Sequence, residues 1–235
     1  MKTVILTLIK NEHRYLEEWI RYHCELGIDT LFIIEDEGSE PHNDICSRYS
    51  NKVILKRLID IPDIETKKQA YIFRHVYNKI IRHSAYDWCF LLDTDEFITC
   101  NNLDVLEKYE GAKVGIHIKW KNFGANGHIH RPDMSQFDAY TKECDNRKFD
   151  IDFFKTGKMC YNCKKYEGLT YLHEHPETTR QDDIYIRHYI TRSWDEWKWK
   201  LLERGMCNPG NRKLEDFFIY NPDMIQYKDI LCKYL

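Results

Sequence analysis

The stretch Tyr86-Asp87-Trp88-Cys89-Phe90-Leu91-Leu92-Asp93-Thr94-Asp95-Glu96-Phe97 decides how the rest of the chain is read. An apolar run, Trp88 to Leu92, stops abruptly at the acids Asp93, Asp95 and Glu96. Such a run bounded by charge reads as a buried strand of a parallel sheet. Open α/β sheets place their ligands at the carboxyl ends of such strands. In continued strand geometry Asp93 and Asp95 would share one face. Carboxylates crowded in this way repel each other unless a cation sits between them. Hard oxygen ligands suit Mg²⁺ or Mn²⁺, above all when substrate phosphates complete the shell. The bland alternative is a strand that runs out into a solvated acidic turn.

The residues upstream supply the rest of such a sheet. Lys2 to Ile9 is β-rich and apolar, a first buried strand broken by Lys10-Asn11-Glu12. Tyr15, Leu16, Trp19, Ile20, Tyr22, His23 and Leu26 then recur at helical spacing, and Gly27 stands where a C-cap glycine would. Thr30 to Ile34 reads as a second strand, running into Glu35-Asp36-Glu37-Gly38-Ser39. A helix over His42 to Tyr49 and a strand over Val53 to Leu58 follow. Strict β-α-β alternation predicts an α/β fold, with a mostly parallel central sheet flanked by helices and right-handed crossovers. A long helix over Thr66 to Ser84 is expected next, with Ala70, Phe73, Val76, Tyr77, Ile80 and Ile81 as its buried stripe. Lys67, Lys68, Gln69 and Arg74 stand near its start. Neither Gly-x-Gly-x-x-Gly nor Gly-x-x-x-x-Gly-Lys-Ser/Thr is present, so the dinucleotide fingerprint and the P-loop are both missing.

Beyond Phe97 the pattern loosens. The spacing predicts a short helix over Asn102 to Glu110, a strand over Val114 to Trp120, and a helix near Met134 to Tyr140. Ile184 to Tyr189 is strand-like and contains His188. Ser193, with Glu196 three positions on, has the form of a capping box for a helix through Trp194, Trp197, Leu201 and Leu202. A C-terminal segment carries Phe217-Phe218-Ile219-Tyr220 and a last helix from Asp223 to Leu235.

The totals exclude several classes. The chain has 235 residues and a net charge of -3, so no polyanion-binding surface is implied and no nucleic-acid partner is expected. Aromatic residues reach 14%, enough to line a sugar or base site as well as a core. The nine cysteines follow no regular framework, and Met1 to Lys10 reads as a strand rather than a signal peptide. Free thiols in a reducing cytoplasm are the expectation. Cys160-x-x-Cys163, with Cys144, His173 and His175, invites a zinc reading. No second Cys-x-x-Cys accompanies it, so reduced thiols are preferred. No run approaches the ~18 apolar residues of a membrane span. The Trp194 to Lys213 region, rich in Trp, Lys and Arg, leaves peripheral association with the inner face of a membrane open, although Trp194, Trp197 and Leu201 share a helical face suited to packing.

Several motifs together resemble the opening and centre of GT-A glycosyltransferases, in the family 2-like and family 92-like group. They are Ile9-Lys10-Asn11-Glu12, Leu16-x-x-Trp19-x-x-Tyr22-His23-x-x-Leu26-Gly27, Asp36-x-Gly38-Ser39, Asp93-Thr94-Asp95-Glu96-Phe97, Trp120-x-x-Phe123-Gly124-x-x-Gly127-His128, and His188-Tyr189-x-x-Arg192-Ser193-x-x-Glu196, where Arg stands for the group's Lys. They occur in the group's order over about residues 3 to 205. The resemblance implies a GT-A, Rossmann-like fold in one domain over 1–235. A nucleotide-binding half would cover about 1–100, an acceptor-side half about 101–205, and a helical tail 206–235. It implies a nucleotide-sugar donor (a UDP-sugar by analogy), Mn²⁺ or Mg²⁺, and transfer of a hexose to a hydroxyl of a glycan or lipid-linked saccharide, as in polysaccharide biosynthesis.

The same resemblance assigns roles. Asp93, Asp95 and His188 would hold the metal. Lys10, Asn11, Glu12, Asp36, Gln69 and Asp93 would meet the donor nucleotide. Trp120 and His128 would line the sugar pocket. A divalent ion would stabilise the departing diphosphate, and an inverting reaction would need a carboxylate base. Glu96 and Asp133 are the site carboxylates chosen for the chemistry. Three rival readings remain: a sugar-phosphate nucleotidyltransferase, which would need a glycine-rich loop after the first strand; a non-catalytic carbohydrate- or nucleotide-binding module; and a haloacid-type phosphatase, whose Asp-x-Asp follows the first strand rather than the fourth.

Overall fold

A computed structural model describes residues 1–64, 69–144, 157–168, 179–180, 182–204 and 212–232. The first half alternates as expected: β1 (Thr3–Ile9), α1 (Leu16–Leu26), β2 (Thr30–Glu35), α2 (Asn43–Ser47), β3 (Val53–Arg57), α3 (Gln69–Val76) and β4 (Trp88–Leu91). There follow β5 (Glu96–Thr99), β6 (Gly115–Asn122), α4 (Gln136–Ala139), β7 (Gly157–Asn162), β8 (Thr179–Arg180), β9 (Tyr185–His188), α5 (Trp194–Leu202), α6 (Phe217–Tyr220) and α7 (Lys228–Leu231). The strands form one sheet in the order β3-β2-β1-β4-β7-β6-β9-β5, with β8 beside β6.

β1 lies between β2 and β4 and is parallel to both, with Leu6 opposite Phe32 and Leu91. All seven of its residues are buried, as a strand covered on both faces requires. Gly27 closes α1 at φ 101°, the left-handed C-cap that its position predicts. Beyond β4 the direction changes: β7 runs antiparallel to both β4 and β6. The sheet is therefore mixed, parallel over its first four strands.

Three expectations need correction. The helix expected over residues 66–84 is α3 followed by a π turn, Tyr77–Ile81, while residues 65–68 lie outside the described ones. Arg82 donates its N–H to the Tyr77 carbonyl, and the extra residue in that loop shifts the helical phase. Ile72 and Ile81 are buried, whereas Ala70 is exposed and Ile80 only partly covered. The acidic motif does not continue the strand: β4 ends at Leu91, and Glu96 donates its N–H to the Asp93 carbonyl in a turn. A strand then begins directly at Glu96, one that the sequence pattern does not mark. The last expected helix is a 3₁₀ segment, Pro222–Tyr227, that runs into α7; residues 233–235 lie outside the described ones.

The chain divides into two compact units. One comprises Met1–Trp120 with Ile151–Ile186, the other Lys121–Asp150 with Arg187–Leu235. In the second, Trp194, Trp197, Phe217, Phe218, Met224 and Ala125 form a buried cluster. Trp194 and Trp197 thus serve as core, in keeping with their shared helical face. Among the described residues no helix is long and apolar enough to cross a membrane.

Candidate active site

In the first unit the acidic turn stands at the carboxyl end of β4. Asp95 and Glu96 are buried, and Asp93 is partly covered. Both Asp93 carboxylate oxygens are engaged. Oδ1 accepts from Gln69 Nε2 at 2.6 Å, and Oδ2 accepts from Lys158 Nζ at 2.7 Å. Lys158 also lies 3.5 Å from Glu96 Oε2, which accepts the Asp93 backbone N–H at 2.9 Å. The turn is thus tied internally and to two other elements, α3 through Gln69 and β7 through Lys158.

Electrostatics divide these acids. Burial lifts the Glu96 carboxyl well above its ordinary value, and the Asp93 and Asp95 charges push the same way against Lys158. Burial also acts on Asp93, but Lys158 and the Gln69 hydrogen bond outweigh it and keep that carboxyl below its usual range. For Lys158, desolvation opposes the charge, and the neighbouring carboxylates override it, raising the ammonium above its ordinary value. Asp93 and Lys158 therefore form the charged pair of the turn.

Sequence reasoning missed Lys158. The span 129–165 has weak periodicity, because β7 is buried at every position and shows no alternation. A signal was available in Gly157. A Cβ there would collide with the Ile118 carbonyl oxygen and the His117 ring, so the strand entering beside β6 requires glycine, and the next residue is carried inward.

The residues at the ends of β1 and β2 form one cluster. Lys10 lies 3.9 Å from Asp36. Asn11, at φ 52°, accepts the Glu40 N–H through Oδ1 and donates its own N–H to Ser39 Oγ, which staples the two strand-end loops together. The Glu12 N–H donates to His42 Nε2 at 2.9 Å, so His42 carries its proton on Nδ1, facing Glu35 Oε1 at 2.9 Å. His13 stacks on His42 with ring centroids 3.8 Å apart. The Glu12 carbonyl receives the N–H groups of Tyr15 and Leu16 at the start of α1. Trp120, at the end of this unit, is half-buried.

The Leu16-x-x-Trp19-x-x-Tyr22-His23 pattern has a structural cause. β5 is the last strand in the sheet order, and α1 satisfies backbone groups that such an edge leaves open. Trp19 Nε1 donates to the Glu96 carbonyl at 2.8 Å, and Tyr22 OH donates to the Ile98 carbonyl at 2.6 Å. His23 Nε2 accepts the Ile98 N–H at 3.3 Å while Nδ1 donates to the Trp19 carbonyl. The acidic turn is thereby anchored from α1 through the main chain of Glu96.

The second unit holds the remaining motifs. His188 is buried, and its Nδ1 lies 2.8 Å from Asn122 Oδ1. Because an amide oxygen only accepts, Nδ1 carries the proton and Nε2 is the nitrogen with a lone pair. Phe123 donates its N–H to the His188 carbonyl. His128 stacks edge-on to Tyr140 with centroids 5.9 Å apart, and Asp133 lies on an exposed bend. Arg192 has a left-handed backbone, φ 55°, and its Nε donates to Gln136 Oε1 at 2.8 Å. The Ser193–Glu196 capping box is present, and Tyr140 OH donates to Glu196 Oε2.

Burial pushes the Cys163 thiol up to about 12 and holds Cys89 and Cys160 well above their ordinary value. His173 and His175 lie outside the described residues.

No protein-family model matches the chain. Over 156 residues it is 27% identical to a glycosyltransferase family 92 protein of Ricinus communis, a match covering 58% of this chain and 25% of the relative. Over 148 residues it is 24% identical to a glycosyltransferase family 92 protein of Oryza sativa subsp. japonica, again over 58% of this chain and 24% of the relative. The chain spans about a quarter of the length of these curated relatives. The similarity agrees with the resemblance read from the motifs. Among solved structures, S. aureus TarS 1-349 superposes with a TM-score of 0.40 at 13% identity, covering 69% of this chain and 47% of that one. Glucosyl-3-phosphoglycerate synthase from Mycobacterium tuberculosis, in complex with Mn²⁺, UDP and glucosyl-3-phosphoglycerate, gives a TM-score of 0.41 at 12% identity over 69% of this chain and 57% of that one. These superpositions are loose, and the strand order is what defines the α/β architecture.

Proposed function

We propose that the chain is a GT-A-type glycosyltransferase that moves a sugar from a nucleoside-diphosphate donor, by preference a UDP-sugar, to an acceptor hydroxyl of a glycan or lipid-linked saccharide. The observation that carries this reading is the acidic turn at the carboxyl end of β4, in a chain similar in sequence to family 92 glycosyltransferases. The nucleotide would lie over the ends of β1 and β2, where the Asn11–Ser39 staple and the His42 relay hold both loops in place.

A divalent cation fits the donor chemistry. Asp95 offers a buried hard-oxygen ligand beside Glu96, and His188 offers an imidazole whose tautomer Asn122 fixes, an arrangement common to metal-ligating histidines. Asp95 and His188 would hold such an ion, with Asp93 close to the first of them in sequence. When bound, it would act as Lewis acid and template for the departing diphosphate. Glu96 is buried, and its Oε2 already accepts the Asp93 N–H and faces Lys158. In this reading Glu96 organises the turn, and exposed Asp133 is the better placed of the two to exchange protons with water. Trp120 and His128 would face the sugars.

The decisive experiment is a thermal-shift series with nucleoside diphosphates, with and without Mn²⁺. Binding stabilises the fold by mass action. UDP is expected to raise Tm only when Mn²⁺ is present, and Asp95→Asn is expected to lose that response. Absence of any response to any nucleotide removes the proposal.

A further inference from the structure

We infer that His42 is a positioning residue for the donor nucleotide, a clamp between the loops that end β1 and β2, closed only while its Nε2 carries no proton. The inference rests on the reading above that the nucleotide lies over these two loops, and it adds a regulation of that site.

Hydrogen bonds join residues 11–13 to residues 39–42. The Asn11 N–H donates to Ser39 Oγ, and Asn11 Oδ1 accepts the Glu40 N–H. His13 Nε2 donates to the Pro41 carbonyl at 3.0 Å. The Glu12 N–H donates to His42 Nε2 at 2.9 Å. The bonds to Ser39, Glu40 and Pro41 keep their donors and acceptors in acid. The bond to His42 does not, because a proton on Nε2 sets donor against donor. The His42 side chain is 0% exposed, and Glu35 Oε1 accepts both its main-chain N–H and its Nδ1–H, each at 2.9 Å. These two bonds fix the ring and its tautomer from behind. Charged and titratable groups surround the clamp. Glu35 faces it from β2, Asp44 from α2, and His13 stacks on the ring. Glu40 lies 3.9 Å from His13, and an ion pair between Glu17 and Arg48 joins α1 to the end of α2. Burial, the largest influence, and His13 oppose a charge on His42, and they outweigh Glu35 and Asp44, which favour it. The closed clamp is therefore the state at neutral pH, and acid opens it.

Calorimetric titration with UDP and Mn²⁺, from pH 8 to pH 5, tests the clamp in wild type, His42→Ala and His42→Gln. At neutral pH His42→Ala is expected to weaken UDP binding about tenfold, and His42→Gln, whose amide oxygen can accept the Glu12 N–H, to recover most of that loss. Equal affinity in wild type and His42→Ala overturns the inference, as does a His42→Gln no better than His42→Ala. UDP titrates alike with every variant, so the ratio of wild-type to His42→Gln affinity isolates the histidine. That ratio should fall with acid in step with the His42 titration, followed by ¹⁵N NMR. A ratio that holds across the titration, or falls without one, overturns the clamp. A merely structural histidine would lower Tm and leave the ratio level. In the same NMR series without nucleotide, the Glu12 amide should shift together with His42; an unmoved amide also overturns the clamp. Should His42→Ala fail to fold, the ratio and the Glu12 amide decide. Absence of UDP binding to wild type at every pH, by contrast, sinks the donor-binding reading and leaves the clamp to be judged by the Glu12 amide.

Discussion

Asn221 Oδ1 accepts the backbone N–H of Ala125, across 96 positions of sequence. Its Nδ2 donates to Thr191 Oγ1 and to the Phe217 carbonyl, and the residue is 1% exposed. One side chain from the C-terminal segment thus fastens the Phe123–His128 loop. Asn221→Ala leaves a buried N–H and a buried hydroxyl short of partners, so a loss of about 2–3 kcal/mol is expected from urea unfolding. A cost near zero would show that the segment does not support the loop.

Trp19 should matter to the acidic turn although it lies on another element. Trp19→Phe keeps the ring in the core but removes the donor to the Glu96 carbonyl. A drop of about 1–3 kcal/mol, seen as a lower urea midpoint with unchanged slope, is expected. The response of Tm to UDP with Mn²⁺ should shrink as well, because the turn loses its anchor.

Acid should weaken the fold through His23. Burial pushes this imidazole down to about 3 from an ordinary 6.5, although its bond to the Trp19 carbonyl acts the other way. Between those values the unfolded chain binds a proton that the folded chain refuses. The stabilisation is whole above about pH 6.5 and falls by up to about 1.4 kcal/mol per unit as pH drops toward 3. His42, also lowered by burial, acts in the same direction. A Tm profile from pH 7 to pH 4.5 should therefore slope downward with acid. His23→Gln, which can donate to Trp19 and accept from Ile98, should flatten it; an unchanged slope would remove His23 as the cause.

Gly157→Ala should be among the most damaging small substitutions in the chain. The added methyl meets backbone oxygen and a buried ring rather than a flexible side-chain end. β7 would have to move from β6, carrying Lys158 with it. We expect loss of the cooperative unfolding transition, checked by circular dichroism and by the yield of soluble protein.

How legible the fold was in the sequence depended on where periodicity was strong. β1, α1, β2 and β4 are nearly as the apolar pattern places them, and Gly27 and the Ser193–Glu196 box mark helix ends by chemistry that local sequence encodes. β5 was hidden because four residues that follow a turn directly carry no pattern of their own; their partners, Trp19, Tyr22 and His23, are more than seventy positions away. The π turn was hidden because one extra residue breaks the helical count only in three dimensions. The site was legible where its residues share a motif, as Asp93, Asp95 and Glu96 do. Lys158 was illegible because its meaning comes from strand pairing, 65 positions from Asp93.

The reversal of strand direction at β7 has one further consequence. Parallel strands offer a site the residues at which they end, whereas an antiparallel strand offers those at which it begins. β4 pairs Phe90 with Cys160 and Trp88 with Asn162, so the first residues of β7 stand beside the last residues of β4. The wall of the site nearest Asp93 is thereby written at the entrance of a strand rather than at its end. A relative could therefore retune the charge of this wall by altering two or three residues around position 158 while keeping β1 to β4 intact.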